Sequence, residues 1–176
     1  GYIIWMAFLM IFALSWQTQT LDVDSCNYAV VAKEIVKTGK WLNLYDPVYK
    51  GPFYYHFPLS IWVTALCFKI FGVNLLTAKL FSMLSALLAA ILIFYFGKKL
   101  KNNWVGFWGA WSFILTNHIA RLSRQNRMDL PVIFFIVLAL FCFLLALRRS
   151  RSYYLLFGLS SCLAIFTKDI SVTAPL

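Results

Sequence analysis

Acidic and basic side chains concentrate in two short polar segments of an otherwise apolar chain. The charged residues of the two segments are Asp22, Asp24, Arg121, Arg124, Arg127 and Asp129. A guanidinium binds a phosphate group through a planar fork of N–H donors. A carboxylate can accept the proton of a reacting hydroxyl group. Residues of these two types, if they meet, suit a reaction on a phosphate-bearing substrate.

The three arginines follow one another at intervals of three residues, at positions 121, 124 and 127. This spacing predicts that they share one face of a helical turn. Such a face would bind an anionic phosphate at the depth of the lipid headgroups. Contact with headgroups in general, without specificity for any ligand, explains the same pattern, and both interpretations stay open.

The aspartates have a structural interpretation beside the catalytic one. Asp24 stands at the start of a helical pattern, and Asp129 precedes an apolar run with Pro131 in its first turn. Aspartate is a favoured N-cap residue, and proline is favoured in the first turn. The two roles are compatible, because a capping carboxylate can direct its second oxygen into a cleft.

Two further polar residues stand beside apolar segments. His56 lies among aromatic residues, where it is either a metal ligand or an interfacial polar residue. Lys168 precedes Asp169, so it either pairs with this neighbour or binds an anion. The four cysteines are scattered without a zinc-binding spacing. A divalent ion at His56 is therefore the metal that the sequence leaves open as a cofactor.

The composition indicates the solvent that surrounds these residues. Hydrophobic residues make up 62% of the 176 positions and charged residues 12%, whereas globular domains have about 45–50% apolar and about 25% charged residues. The chain is therefore predicted to be an integral membrane protein. Its net charge of +10 does not indicate nucleic-acid binding, because a nucleic-acid site needs a soluble basic face.

Five apolar runs predict an all-α, polytopic bundle of transmembrane helices, since a span needs about 20 mostly apolar residues. The predicted spans are residues 2–16, 75–96, 104–119, 131–147 and 153–167. Lys79 lies near one end of the second run, where its side chain can reach the interface. The chain opens inside an apolar run and stops without a polar tail, so we expect it to be the N-terminal part of a longer protein.

The short basic loops predict the orientation of the spans. Residues 97–103 and 148–151 each carry three positive charges and no acid, which is typical of cytoplasmic loops. Residues 17–74, 118–130 and the segment from Lys168 onward then lie on the opposite side. Arginines on that side run against the usual bias, which suggests that something holds them there.

The long outer loop, residues 17–74, is predicted to be structured. Residues 24–38 have an amphipathic helical pattern that ends at Gly39, where a C-cap glycine is expected. Residues 60–71 form an apolar stretch that is too short to cross a bilayer, and an interfacial helix fits it better.

Ordered sequence blocks lie on the predicted outer side. They are DSCNYA (24–29), TGKW (38–41), PFYYHFPL (52–59), RMDLP (127–131) and FTK (166–168). In this order they resemble the GT-C glycosyltransferases of the ArnT and protein O-mannosyltransferase type. Ser25 stands where that family usually has Glu, and Tyr55 stands where its lipid-A-modifying members have Glu.

The resemblance implies a function and its location. Members of that family transfer a sugar from a polyprenyl-phosphate carrier to a lipid, glycan or protein acceptor. The expected site is in a bacterial inner membrane and faces the periplasm, and the expected reaction is an inverting single displacement. Two alternatives remain open: a transporter or flippase for an anionic lipid-linked substrate, and a non-catalytic membrane scaffold.

The resemblance also implies roles for individual residues. Asp24 is the expected general base, and Asp129 is the second carboxylate, which orients the acceptor or a cation. The expected substrate- and phosphate-binding residues are Arg124, Arg127, Lys168, Tyr28 and Arg121. The enzyme hypothesis requires Asp24, Asp129 and the arginines to converge on one outward cleft.

Overall fold

A computed structural model describes residues 21–53 and 56–168. Within these residues the chain is helical apart from two strands of two residues each, which confirms the all-α expectation. The elements are α1 (Val23–Thr38), β1 (Tyr45–Asp46), β2 (Gly51–Pro52), α2 (Leu59–Phe71), α3 (Leu75–Leu100), α4 (Asn103–Leu115), α5 (Asn117–Leu122), α6 (Asp129–Arg148) and α7 (Tyr153–Thr167). The two strands pair antiparallel.

Helix α1 lies where the sequence predicts a helix in the long loop, and its location on the outer side of the membrane stays a prediction. Its N-cap is Asp22, whose carboxylate accepts a hydrogen bond of 3.0 Å from the Ser25 amide. The expectation that Asp24 is the cap is wrong, because Asp24 already lies in the first turn. The helix ends at Gly39, which has a φ of 71° and donates its amide to the Ile35 carbonyl. Only glycine adopts this left-handed conformation without strain.

Helix α2 packs against α1 through a shared apolar core. Ile61, Ala65 and Phe68 of α2 are buried against Val31 and Ile35 of α1. Both helices present small or β-branched side chains to each other, so their backbones lie close together. The helix at this position confirms the sequence prediction, and its location at the membrane interface stays a prediction.

Two helices within the described residues are long and apolar enough to cross a membrane by length and composition, α3 and α6. Helices α2 and α7 are apolar but shorter. The predicted first span, residues 2–16, lies outside the described residues. The total of five spans therefore stays a prediction.

The predicted third span is wrong at its outer end. We expected one helix over residues 104–119, but α4 ends at Leu115 and α5 begins at Asn117. Thr116 is extended between them, and its hydroxyl donates to the Ser112 carbonyl at 2.9 Å. Polar side chains of this kind compete with the helical backbone for hydrogen bonds and favour helix ends.

Helices α3 and α4 form a tight hairpin. A Cβ atom added to Gly97 would lie 2.6 Å from the Gly106 Cα atom, and one added to Gly106 would clash with the Phe94 carbonyl. The two backbones therefore touch directly. Asn102 starts α4 by accepting the Val105 amide at 2.9 Å, so the turn between the helices is short.

Lys79, which the sequence predicts to reach the interface, is buried inside the protein. It is one of the largest fully buried side chains of the described residues, with 1% of its surface exposed. It lies on the same face of α3 as Ser82 and Met83, which are also buried. This face packs inward because the small residues that follow it, Ala86 and Ala90, allow α3 to approach its neighbours closely.

Candidate active site

Arg127 joins the two charged segments that the sequence singled out. Its Nη1 donates to Asp24 Oδ2 at 2.8 Å, and its Nε donates to Asp22 Oδ2 at 3.0 Å. Nη2 also pairs with Asp22. These residues are 103 and 105 positions apart in the chain. The guanidinium therefore fixes the start of α1 against the segment that follows α5.

Backbone contacts hold Arg127 in place for this role. The Ser82 hydroxyl of α3 donates to the Arg127 carbonyl at 2.8 Å and accepts the Arg127 amide at 3.1 Å. Beside it, Gln125 Oε1 accepts the Asp22 amide at 2.9 Å. Because Arg127 lies between α5 and α6 outside any helix, its backbone needs these partners.

A second ion pair lies at the start of α6. Lys168 Nζ donates to Asp129 Oδ1 at 2.6 Å, and both side chains are about one-third exposed. The sequence suggested that Asp129 is the N-cap of this helix, but it is not. Met128 occupies the cap position without a side-chain hydrogen bond, and Asp129 is the first helical residue. Pro131 lies in the first turn, as predicted.

Charged groups of both ion pairs affect the same side chain, Tyr28. Burial raises the pKa of Tyr28 to about 12, and charges of Asp24, Arg127 and Asp129 all contribute to its value. Phe57 stacks on Phe166 with ring centroids 5.3 Å apart, which brings the aromatic loop to the end of α7. Charges of both ion pairs therefore act near Tyr28, and the convergence of Asp24, Asp129 and the arginines on one outward cleft stays a prediction.

The charged state of the larger pair is stable near neutral pH. Burial alone would raise the pKa of Asp22, but hydrogen bonds from Ser25 and Arg127 outweigh it and lower that pKa below its ordinary value. Burial likewise opposes the charge of Arg127, but the contact with Asp22 raises the pKa of the guanidinium above its ordinary range. Both groups are therefore fully ionised at neutral pH.

The three arginines do not share a helical face. Helix α5 ends at Leu122, so Arg121 lies in its last turn, whereas Arg124 and Arg127 lie in the irregular segment beyond it. Arg121 is exposed, and no described acid pairs with it. Arg124 carries a buried Nε that has no hydrogen-bond partner among the described residues. The end of α5 at Leu122 removes the helical spacing on which the prediction depended.

Tyr28 and His56 form an aromatic wall beside the ion pairs. Their ring centroids are 5.8 Å apart, and both rings also contact Phe53, at 6.4 and 6.5 Å. Around His56 the described residues do not assemble three histidine, cysteine or acidic side chains that could hold a metal ion. The described residues therefore provide no set of ligands for a metal ion at His56.

A cavity of about 750 Å³ lies along the second half of α1. Its wall combines polar and aromatic side chains, among them Glu34, Thr38, Lys40, Tyr45, Phe53 and His56. None of the paired residues lines it.

Sequence reasoning missed Asp46, which fixes the outer hairpin to α1. Its side chain is buried and accepts hydrogen bonds from Asn27 Nδ2 at 3.0 Å, Val48 N at 2.9 Å and Tyr49 N at 3.2 Å. The signal for it is the Asp46–Pro47 step, since an aspartate at this position of a turn typically accepts the amides that follow. Its role is structural, because its acceptor oxygens are already used.

Comparison with known sequences assigns the chain to a family. The sequence profile of dolichyl-phosphate-mannose-protein mannosyltransferase matches residues 52–176. An uncharacterized protein of Aquifex aeolicus (strain VF5) is 29% identical over 150 residues, which cover 80% of this chain and 28% of that protein. Undecaprenyl phosphate-alpha-4-amino-4-deoxy-L-arabinose arabinosyl transferase 1 of Pseudomonas fluorescens is 30% identical over 100 residues, which cover 56% of this chain and 18% of the relative.

Comparison with solved structures identifies the fold. ArnT from Cupriavidus metallidurans in the apo state superposes with a TM-score of 0.87 at 17% identity, over 98% of this chain and 33% of ArnT. The same protein bound to undecaprenyl phosphate gives a TM-score of 0.77 at 18% identity, over 96% of this chain and 32% of ArnT. The chain spans no more than about a third of the length of these relatives. It belongs to the dolichyl-phosphate-mannose-protein mannosyltransferase family of membrane glycosyltransferases, and its fold is that of ArnT.

Proposed function

We propose that the protein transfers a sugar from a polyprenyl-phosphate carrier to a lipid, glycan or protein acceptor, at the periplasmic face of a bacterial inner membrane. The observation that carries this proposal is the pair of ion-pair contacts that join distant segments of the chain, Arg127 with Asp22 and Asp24, and Asp129 with Lys168. Family membership supports sugar transfer, and the undecaprenyl phosphate bound to ArnT supports a polyprenyl-phosphate donor.

The charge balance of the site favours Arg124 as the first contact of the donor phosphate. Arg127 is already neutralised by Asp22 and Asp24, and Lys168 by Asp129. Arg124 has no acidic partner among the described residues, and its Nε lacks a hydrogen bond. A buried N–H donor without a partner is costly, and a phosphate oxygen would satisfy it. Arg121 is exposed on the preceding helix and adds positive potential.

Arg127 and Lys168 act later in the same reaction. When the bond between the anomeric carbon and the phosphate oxygen breaks, the phosphate gains negative charge. Two cations already fixed beside it would stabilise this charge without rearrangement of solvent. The hydroxyl of the partly buried Tyr28 stays protonated at neutral pH, because burial raises its pKa to about 12, so it can donate a hydrogen bond to the donor.

Asp24 is the general base of the proposal. Its side chain is 57% exposed, and only Oδ2 is engaged, by Arg127. The other oxygen has no hydrogen bond to a described residue, so it can receive the proton of an acceptor hydroxyl. A donor phosphate that attracts Arg127 would loosen this pair and leave both carboxylate oxygens available to the acceptor.

The reaction is then a single displacement. The acceptor oxygen bonds to the anomeric carbon, the bond to the phosphate oxygen breaks, and the acceptor proton passes to Asp24. Asp129 orients the acceptor, and the hydrogen bond from Lys168 holds that carboxylate in position. Attack from the face opposite the leaving phosphate inverts the anomeric carbon.

The test of the base is Asp24→Asn in the full-length protein. Membranes are incubated with a polyprenyl-phosphate donor that carries a labelled sugar, and the labelled acceptor is quantified. We expect transfer to fall about 100-fold or more, since a general base contributes roughly 10²–10⁴ in rate. The matched control is Glu34→Gln on the same helix, which should keep normal transfer. Undiminished transfer by Asp24→Asn would show that this assignment is wrong.

The same assay separates the two alternative functions. A transporter or a scaffold would leave the label on its carrier in the wild-type protein as well. A flippase would also move labelled carrier across the bilayer of sealed vesicles, and this movement would be unaffected by Asp24→Asn.

A further inference from the structure

The end of the bundle opposite the ion-paired site carries a second concentration of charge. It lies where α3 passes into α4 and where α6 passes into α7. Its basic residues are Lys98, Lys99, Lys101, Arg148, Arg149 and Arg151. Helix α6 begins at Asp129, in the site, and ends at Arg148. At 1.5 Å per residue, its 20 residues separate the two ends by about 30 Å.

The two loops form one surface. The guanidinium of Arg148 donates to the Lys99 carbonyl, although the two residues are 49 positions apart in the chain. All six basic residues are exposed. The six residues are called the basic surface below.

The basic surface has no acidic partner among the described residues. All three ion pairs of the described chain lie at the other end of the helices. Like charges on neighbouring loops repel one another. Two positive side chains close together without a counter-ion raise the free energy of the protein, even near water. An anion that bridges the loops would remove this repulsion and hold the α3–α4 and α6–α7 turns together.

Aromatic residues beside the basic surface indicate where that anion comes from. Trp104 near the start of α4 is 69% exposed, and Tyr95 and Tyr154 are 45% and 42% exposed. Exposed tryptophan and tyrosine next to a group of lysines and arginines are typical of the boundary between lipid and water. A soluble nucleic acid or a free anion gives no reason for exposed rings at this place.

We infer that the basic surface binds an anionic phospholipid of the cytoplasmic leaflet through its phosphate, with the lipid bridging the two loops. Groups of four to eight lysines and arginines beside a transmembrane helix attract anionic lipids. The inference is independent of the glycosyltransferase proposal, because it uses none of the residues of the ion-paired site.

The test uses the full-length protein in nanodiscs or mixed micelles of phosphatidylcholine, with or without phosphatidylglycerol. Lipid that stays bound is measured by native mass spectrometry, and stability is measured by thermal unfolding. The variant is Arg149→Gln/Arg151→Gln, which keeps the Arg148 contact with Lys99 intact. The control is Lys33→Gln/Lys37→Gln, which removes two exposed charges from α1.

We expect the wild-type protein and the control to retain phosphatidylglycerol in preference to phosphatidylcholine and to unfold at a higher temperature in its presence. Each charge removed from the basic surface should weaken retention about five-fold, and transfer activity per folded molecule should not change. Equal retention of the two lipids by the wild-type protein would overturn the inference. Undiminished retention by the variant, or equal stabilisation by inorganic phosphate or an oligonucleotide, would overturn it as well.

Discussion

The two charged ends of the helix bundle differ in how their cations are held. At the outer end Arg127 contacts two carboxylates and Lys168 contacts one, and these cations are 28% exposed. At the other end the six cations of the basic surface are exposed, without an acidic partner among the described residues. The ion pairs hold Arg127 and Lys168 in position, whereas no described ion pair holds the cations of the basic surface. Pairing, rather than charge alone, therefore distinguishes the candidate site from a surface that faces lipid.

The comparison also changes the explanation of the outer arginines. Their position against the usual charge bias suggested a bound phosphate, and the structure provides a partner from within the chain. Asp22 and Asp24 balance Arg127. Arg124 is the arginine whose buried nitrogen still lacks a partner among the described residues, so the argument for a bound anion now rests mainly on it.

The largest loss of stability and activity is expected from Arg127→Met, which removes the ion pairs of Arg127 with Asp22 and Asp24. It leaves Asp22 and Asp24 without their cation, and we expect a loss of about 2 kcal/mol of stability, less than for a fully buried pair because the site is partly exposed. Transfer should fall about 100-fold or more, since a fixed cation at the leaving group is lost.

Thermal unfolding of the purified full-length protein and the labelled transfer assay check this prediction. Arg149→Met at the other end is the control and should cost less than about 0.5 kcal/mol. If the two variants lose similar stability, the pairing at the outer end does not distinguish the two regions.

A smaller loss of stability is expected at the end of the bundle that carries the basic surface. There the hairpin of α3 and α4 depends on backbone contact rather than on ion pairs. Gly106→Ala places a methyl group against the Phe94 carbonyl, and we expect a loss of about 1–2 kcal/mol. Gly158→Ala is the matched control, because a Cβ there meets nothing within 4 Å. Thermal unfolding in the same detergent compares them, and equal stability of the two variants would contradict the close approach of α3 and α4.

The smallest effect is a dependence on pH that is confined to the outer end. The pKa of Asp22 in the folded protein lies below its ordinary value of 3.8. The carboxylate therefore contributes stability that is fully present above about pH 4 and is lost as the pH falls through the lower, folded pKa. The stability difference between the wild-type protein and Asp22→Asn should be constant from about pH 7 to 5 and shrink below pH 4.

Thermal unfolding across this pH range checks the prediction for Asp22. The basic surface has no group that titrates there, so Arg149→Gln should differ from the wild-type protein by the same amount at every pH. A difference for Asp22→Asn that grows on acidification would contradict the sign of the pKa shift.

Some features of the fold follow from local sequence alone. Gly39 marks the end of α1, and the apolar run before Arg148 predicts α6, because backbone conformation and hydrophobicity act over a few neighbouring residues. The sequence did not predict the break at Thr116, although Thr116, Asn117 and His118 interrupt the apolar run there. The end of α5 at Leu122 then separates Arg121 from Arg124 and Arg127.

The site could be predicted in its residue types but not in its pairing. Asp22 and Asp24 both stand at the start of α1, and which of them caps the helix depends on where the first turn begins. The contact of Lys168 with Asp129 depends on how α7 packs against α6. The burial of Lys79 likewise depends on tertiary packing, which no local pattern records.

The most direct measurement of the central claim is the binding of a polyprenyl phosphate to the full-length protein with Arg124→Gln. The nanodiscs should contain phosphatidylglycerol, so that anionic lipid already occupies the basic surface. Loss of a hydrogen bond between charged groups predicts affinity weaker by about ten-fold or more, whereas Arg149→Gln should bind like the wild-type protein. If Arg124→Gln binds the carrier with unchanged affinity, or if Arg149→Gln weakens binding equally, the outer end is not the donor-phosphate site.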